Sequence, residues 1–273
     1  MTPNDIRAID VHAHFGTYRS KRSPQLVNEF VSGDADTVVA RARQVNIETT
    51  IVSPLSALLP RGNADPVAGN VEAAQVVAAT DGLLQWVVAH PSQTQTFRQV
   101  DEMLEQPQCV GIKVHPEEHV YSIREHGESL FKLAARHDAI VLAHSGDPNS
   151  WPVDFVDFAN AYPNVTLILA HLGNGGGASG DPTLQVRAIQ ACKHGNVFVD
   201  TSSARSIAPR LIEWAVSEIG SDRILFGTDA PLYSTAMQRA RIDYADISDE
   251  DKCNILRKNA TRLLASSRNE KTC

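Results

Sequence analysis

Two histidines near the N-terminus, His12 and His14, are the first residues whose type and spacing suggest chemistry. If residues 9–14 form a strand, side chains alternate between its two faces, so Asp10, His12 and His14 share one face. Imidazoles two residues apart at a strand end are spaced by about 7 Å and can lean together onto one divalent metal ion. Because the chain contains 10 histidines, such a pair also arises easily by chance, so the hypothesis needs further ligands.

Further metal-competent or charged side chains stand at the ends of apolar segments along the chain. They are Lys113, His115, His144, His171 and Asp229. Neutral imidazoles and a carboxylate suit Zn²⁺, and an ion with an open coordination position lowers the pKa of bound water toward neutrality. A site of this kind supplies a nucleophile and a Lewis acid together.

The apolar segments have the pattern of β-strands, and the segments between them have the pattern of amphipathic helices. Predicted strands cover residues 9–14, 47–52, 83–89, 109–114, 139–143, 165–170, 196–200 and 223–226. Predicted helices cover residues 36–45, 65–79, 94–106, 125–137, 152–162, 182–194 and 206–219, with a polar loop over 16–33 and a C-terminal helical extension over 249–265. Eight such units in about 230 residues favour a (β/α)8 TIM barrel, an α/β fold whose strand ends converge at one mouth.

The bulk composition limits the classes of function. No composition shift divides the chain, so residues 1–273 are expected to form a single domain. A formal charge of -7 and a pI near 5.8 argue against nucleic-acid and anionic-membrane partners. The four cysteines form no C-x-x-C pair, and the N-terminus has no basic region followed by an apolar core. We therefore expect a cytoplasmic protein that acts on a small molecule.

Together the strand ends resemble the amidohydrolase superfamily. The motifs are Asp10-x-His12-x-His14, Leu-Ala-His144-Ser-Gly, Leu-Ala-His171-Leu-Gly and Gly-Thr-Asp229-Ala-Pro, one per strand and in order. Residues 111–116 and 254–263 resemble its amidohydrolase-2 branch. The resemblance implies His12, His14, His144 and Asp229 as metal ligands, with Asp229 also accepting a proton from metal-bound water. It implies that His171 polarises the substrate or transfers a proton beside one metal, or binds a second metal. The sequence itself gives no clear signal of oligomeric state, and barrels of this family often pair, so a homodimer is compatible with the resemblance.

Lys113 decides between one metal and two. In binuclear relatives such as phosphotriesterase-like enzymes, a lysine at the end of strand four is carboxylated and bridges two metals, and Gly-Ile-Lys113-Val is similar. His115 shares the face of Lys113, and amidohydrolase-2 members commonly use one metal, so one ion is favoured, Zn²⁺ before Mn²⁺. Lys113 would then bind a substrate carboxylate or polarise a carbonyl. His115 either contacts substrate or supports a neighbouring ligand, and Arg205 is a candidate clamp for an anionic substrate.

The leading functional hypothesis is a metal-dependent hydrolase. Metal-activated water would attack a carbonyl carbon of a lactone, amide or related ester, with Asp229, His171 and Lys113 as catalytic residues. The alternative is a lyase, because some amidohydrolase-2 relatives decarboxylate aromatic or unsaturated carboxylic acids without oxidation, and some hydrate double bonds. A non-catalytic metal-binding or ligand-sensing barrel is disfavoured, since proton-transfer residues accompany the ligands.

Overall fold

The centre of the molecule is one parallel sheet in which each strand pairs with the next strand along the chain. The structure, a computed structural model, describes residues 5–176, 180–203 and 207–269. Within these residues the eight strands are β1 (Ala8–Phe15), β2 (Ile47–Pro54), β3 (Leu83–Val88), β4 (Cys109–Val114), β5 (Ile140–Ala143), β6 (Thr166–Leu169), β7 (Val197–Asp200) and β8 (Ile224–Leu225). Strand order along the sheet follows chain order, which requires a crossover segment between consecutive strands.

Backbone hydrogen bonds between the two ends of the sheet bring it to a nearly closed barrel. The amide of Val11 donates to the carbonyl of Phe226, and the amide of His14 donates to the carbonyl of Ala230. A parallel bridge pairs Ala13 with Ala230. Closure of this kind removes the exposed edges of the sheet. The (β/α)8 barrel predicted from the alternating pattern is confirmed.

Helices cover the outside of the barrel and extend its C-terminus. They are α1 (Gln25–Phe30), α2 (Ala35–Gln44), α3 (Leu55–Leu58), α4 (Pro66–Ala79), α5 (Thr94–Met103), α6 (Ile123–Ala135), α7 (Val156–Ala161), α8 (Leu184–Ala191), α9 (Leu211–Ile219), α10 (Thr235–Asp243), α11 (Asp249–Cys253) and α12 (Asn259–Asn269). A π-helical segment, Asn254–Lys258, joins α11 to α12. The segment predicted as a polar loop contains α1, none of whose side chains is buried. Among the described residues, no helix has both the length and the apolar composition needed to cross a bilayer.

The interior of the barrel is filled by one apolar cluster to which every strand contributes. Its members are Ile9, Val11, Ile51, Trp86, Val110, Ile140, Leu142, Ile168, Ala170, Phe198, Leu225, Ala260 and Leu263. Ala260 and Leu263 belong to α12, so this helix closes the end of the barrel at which the strands begin. Asn259 fixes it there by donating to the carbonyls of Ser221 and Ile224, both at 2.8 Å. The opposite end, where the strands finish, is left for the polar residues.

A register shift in β1 changes which of its side chains face inward. The pairing of β1 with β2 shifts between Asp10 and Ala13, which is the position of a β-bulge. Ile9, before the shift, and Val11, within it, belong to the interior cluster, whereas Ala13, after the shift, packs outside the barrel under α2 and α4. His12 and His14 both reach the barrel mouth, so the predicted alternation holds for these two residues. It does not extend to Asp10.

Candidate active site

The carboxyl ends of the strands enclose a cavity of about 250 Å³ at the barrel mouth. Most of the residues that the sequence singles out line it, namely His12, His14, His115, His144, His171 and Asp229. Lys113 lies beside them, since its Nζ is 2.9 Å from Nε2 of His12. The other lining residues are Leu59, Arg61, Glu117, Glu118, Asp147, Asn174, Ser203, Leu232 and Tyr233. Arg205, the expected anion clamp, lies outside the described residues.

Three of the four residues expected as metal ligands form one tight cluster. Within the part of the chain that the structure describes, His12, His14 and Asp229 place one ligand atom each within 4.8 Å of the others. Nε2 of His14 is 3.1 Å from Oδ1 of Asp229, and Nε2 of His12 is 3.6 Å from the same oxygen. Burial alone would raise the pKa of Asp229, but the hydrogen bond with His14 and the electrostatic interactions with His12 and His171 hold it well below its ordinary value. Asp229 is therefore a carboxylate.

The Nδ1 atoms of both imidazoles in this cluster face oxygen acceptors. Nδ1 of His14 lies 3.1 Å from the carbonyl oxygen of Ser53, and Nδ1 of His12 lies 2.8 Å from Oδ2 of Asp200. A carbonyl or carboxylate oxygen can only accept, so each Nδ1 carries a hydrogen. Nε2 of His12 faces the Lys113 ammonium and keeps its lone pair, whereas Nε2 of His14 faces Asp229 and offers a lone pair once a metal ion displaces the hydrogen that it shares with this carboxylate. Two imidazole lone pairs and a carboxylate that converge in this way fit a divalent metal ion.

His171 belongs to a second cluster that shares His12. The ligand atoms of His12, His171 and Asp200 also lie within 4.8 Å of one another. Oγ of Ser202 bridges this group, at 2.8 Å from Nδ1 of His171 and 3.0 Å from Nδ1 of His12. Among the described residues His144 is in neither cluster, but its Nδ1 is 3.0 Å from Nε2 of His171. The expected ligands therefore lie in two adjacent groups. His12, His14 and Asp229 form one group, and His144 lies next to it, with His171 between them.

Lys113 brings a positive charge to the base of the site. Its side chain is fully buried, and its Nζ faces the lone pair on Nε2 of His12. Burial lowers the pKa of Lys113 to about 8, against the attraction of the Asp229 and Asp200 carboxylates. An amine with this pKa is still mostly charged at neutral pH, and it changes charge more readily than an exposed lysine.

His115 lies on the cavity wall and also packs on a predicted ligand. Its ring stacks on the ring of His144 with centroids 4.1 Å apart and planes 12° apart. Its Nδ1 accepts the amide hydrogen of Glu118 at 3.3 Å. Burial, followed by the nearby charges of His144 and Lys113, holds the pKa of His115 well below its ordinary value, so the ring is neutral. The position is compatible with both roles expected for His115.

The backbone is strained at the residues closest to the chemistry. His171, Ser203 and Asp229 have φ angles of 71°, 80° and 57°, in the left-handed region that non-glycine residues rarely adopt. Strain of this kind costs about 1–3 kcal/mol per residue and concentrates at functional sites. Gly227 allows the chain after β8 to pack closely against His12 and Asp200, because a Cβ at this position would lie 3.0 Å from the Cβ of His12 and 3.2 Å from Cγ of Asp200.

Two carboxylates with structural roles in the site were missed by the sequence reasoning. Asp200 ends β7 in the same way that the other site residues end their strands, so the strand-end rule could have found it. Burial would raise its pKa, but the charge and hydrogen bond of His12 hold that pKa well below its ordinary value. Asp147 lies three residues after His144 in a loop, and its Oδ2 is 2.7 Å from Nε2 of His144. No sequence signal marks Asp147.

A family comparison agrees with this geometry. The family model described as amidohydrolase matches residues 9–265, which is nearly the whole chain. The chain belongs to the amidohydrolase family. The resemblance predicted from the strand-end motifs is confirmed, and membership supports an enzyme. No curated protein is similar enough in sequence to count as a relative.

Solved structures with the same fold include several decarboxylases. A dihydroxybenzoic acid decarboxylase from Polaromonas, with bound manganese and the inhibitor 2-nitroresorcinol, is 18% identical with a TM-score of 0.72, and the match covers 96% of this chain and 98% of that one. The 5-carboxyvanillate decarboxylase from Sphingomonas paucimobilis is 12% identical with a TM-score of 0.73, and the match covers 96% of this chain and 99% of that one. The 2,6-dihydroxybenzoate decarboxylase from Rhizobium is 17% identical with a TM-score of 0.68, and the match covers 95% of this chain and 98% of that one. At these identities the likeness establishes the fold.

Proposed function

We propose that the protein is a metal-dependent lyase that releases CO₂ from a small aromatic or unsaturated carboxylic acid without oxidation. The observation that carries the proposal is the cluster of His12, His14 and the buried Asp229 carboxylate, which could hold a metal ion, in a chain whose fold matches solved decarboxylases over almost its whole length. This was the alternative hypothesis from sequence, and the structural neighbours favour it over the hydrolase.

One divalent ion is proposed, held by His12, His14 and Asp229, with His144 as a further ligand. Such an ion draws electron density from substrate oxygen atoms and so supplies electrophilic assistance. The neighbours that name a metal contain manganese, so Mn²⁺ is the first ion to test, and Zn²⁺, which the ligand set also suits, is the second. A single ion leaves Lys113 as a free ammonium group.

The side chains supply charge and a proton carrier. The Lys113 ammonium neutralises the substrate carboxylate while it is held at the base of the cavity. Asp229, which is ionised, takes a proton from a substrate hydroxyl and delivers it to the carbon that bears the carboxylate. The bond from that carbon to the carboxylate then breaks, its electron pair stays with the ring, and CO₂ leaves. The phenolate that remains regains a proton from water, so one proton is consumed in total.

A panel of carboxyl-labelled acids tests this function. Protein stripped of metal and reloaded with Mn²⁺ or Zn²⁺ is offered hydroxybenzoates and methoxylated hydroxybenzoates labelled with carbon-13 in the carboxylate. We expect labelled CO₂ from at least one acid, and a loss of at least about 100-fold in kcat/KM for Asp229→Asn, which cannot carry the proton. Absence of CO₂ from every acid, with either metal, would contradict the proposal.

Hydrolysis of a lactone or amide is the second candidate, and the ionised Asp229 would serve this reaction as well as decarboxylation. A carboxylate next to a metal site can accept a proton from attacking water, and Nε2 of His171 faces the same region. Hydrolysis in oxygen-18 water places the label in the product, whereas decarboxylation does not. Oxygen-18 incorporation from a lactone panel, together with no CO₂ release, would assign the hydrolase.

A further inference from the structure

We propose that Asp147 is a positioning residue that sets the tautomer of His144 and so turns its Nδ1 into a metal-binding atom. The inference rests on the metal centre of the proposed function but not on the reaction it catalyses. The Nε2–H of His144 donates to Oδ2 of Asp147 at 2.7 Å. Since a carboxylate oxygen only accepts, the hydrogen is on Nε2, and the inward-facing Nδ1 keeps a lone pair.

The partner of that nitrogen shows why the tautomer matters. Nδ1 of His144 faces Nε2 of His171 at 3.0 Å. The hydroxyl of Ser202 donates to Asp200, so Nδ1 of His171 donates to Oγ of Ser202, and its Nε2 is also a lone-pair nitrogen. Two lone pairs that face each other at this distance repel unless a positive charge lies close to both. This arrangement is what a cation-binding pair requires, and the Asp147 bond maintains one half of it.

Asp147 is held in place by its own loop and by the loop after β6. Nδ2 of Asn174 donates to Oδ2 of Asp147 at 3.3 Å and to the carbonyl of Ser145 at 2.9 Å. The Ser150 amide donates to the carbonyl of Asp147 at 2.8 Å. Gly146 has a φ of 97°, and a Cβ there would lie 2.1 Å from the carbonyl oxygen of Asn174, so only glycine permits this approach. The carboxylate is therefore fixed as part of the site.

The test measures metal affinity and tautomer, so it is independent of turnover. Mn²⁺ binding to stripped protein is followed by the electron paramagnetic resonance signal of the free ion. We expect Asp147→Ala to weaken binding by about 10- to 100-fold, the usual effect of removing a carboxylate behind a ligating histidine. Asp147→Asn keeps an oxygen acceptor and should retain an intermediate affinity. Nitrogen-15 NMR of the metal-free wild type should report the hydrogen of His144 on Nε2.

The matched control is Asp101→Ala. Asp101 makes the same kind of bond, at 2.7 Å to Nε2 of His137, away from the cavity, and its removal should leave the Mn²⁺ affinity within about twofold. Equal affinities of wild type and Asp147→Ala would overturn the inference, as would an Nδ1–H tautomer of His144 in the wild type. The tautomer result needs no variant, so it holds even if Asp147→Ala fails to fold. Failure to release CO₂ with these results intact would count against the lyase alone.

Discussion

The charged side chain of Lys113 is buried away from solvent. The side chain is fully buried, and its pKa falls from 10.5 to about 8 because burial disfavours the charged form. The folded protein therefore binds this proton more weakly than the unfolded chain does. The resulting loss of stability is complete below about pH 8 and disappears as the pH rises toward 10.5.

Replacing Lys113 with methionine should stabilise the protein and abolish turnover. In metal-free Lys113→Met at pH 7, the free energy of unfolding should rise by about 2 kcal/mol, the penalty for the buried charge less the bond to His12. The gain should shrink at pH 9.5, where the lysine is largely neutral in the fold. Urea unfolding at both pH values measures this, with Lys132→Met on the surface of α6 as the control. A less stable variant would contradict the burial argument.

The sequence was sufficient to identify those site residues whose role follows from their position at the end of a strand. His12, His14, His144, His171 and Asp229 could be found because each ends a strand, and the strand ends of a barrel meet. Asp147 could not be found, because its role depends on the fold of a loop. Partnerships such as that of Asp200 with His12 join residues far apart in the chain, and only the closed barrel brings them together.

At the scale of the elements, Asp10 ties the first strand to the end of the last one. Its carboxylate accepts from the amide of His12 and from both the amide and hydroxyl of Thr228. Burial raises the pKa of Asp10 to about 7, against these hydrogen bonds, which lower it. Asp10 therefore has a structural role and fixes the backbone that carries His12 and Asp229.

Removing this tie should destabilise the barrel. Asp10→Ala should lower the free energy of unfolding by about 3 kcal/mol, because it leaves buried donors on His12 and Thr228 without acceptors. Asp34→Ala, which removes an exposed cap at the start of α2, should lower it by about 1 kcal/mol. Urea unfolding of both metal-free variants compares them. An Asp10→Ala effect no larger than that of Asp34→Ala would contradict the closure role.

Hydrophobic patterning predicted the order of the strands and helices. It did not predict the exact ends of these elements or the additional helix α1. The helix predicted over residues 65–79 agrees with α4, and the side chain of Asp65 caps its first turn. By contrast, α1 buries no side chain, so it leaves no amphipathic pattern to detect. The strand β8 has only two residues, because backbone pairing beyond it runs through irregular chain at residues 226–230.

At the scale of the whole molecule, the fold constrains the position of the site far more than the choice of substrate. Decarboxylases that are 12–18% identical share this barrel over almost their entire length. The loops that follow the strands form the wall of the cavity. Here Arg61, after β2, donates to the carbonyl and carboxylate of Glu117, after β4, each at 2.7 Å. Contacts between loops of this kind shape the entrance, and sequence patterns do not report them.

The most direct measurement follows CO₂ release as Mn²⁺ is added to stripped protein, with the acid that the panel finds to be turned over fastest. The rate should be negligible without metal, rise in proportion to added ion and level off at one ion per chain, because one set of ligands converges on Asp229. A rate that does not depend on metal, or one that levels off only at two ions per chain, would contradict the single-metal lyase.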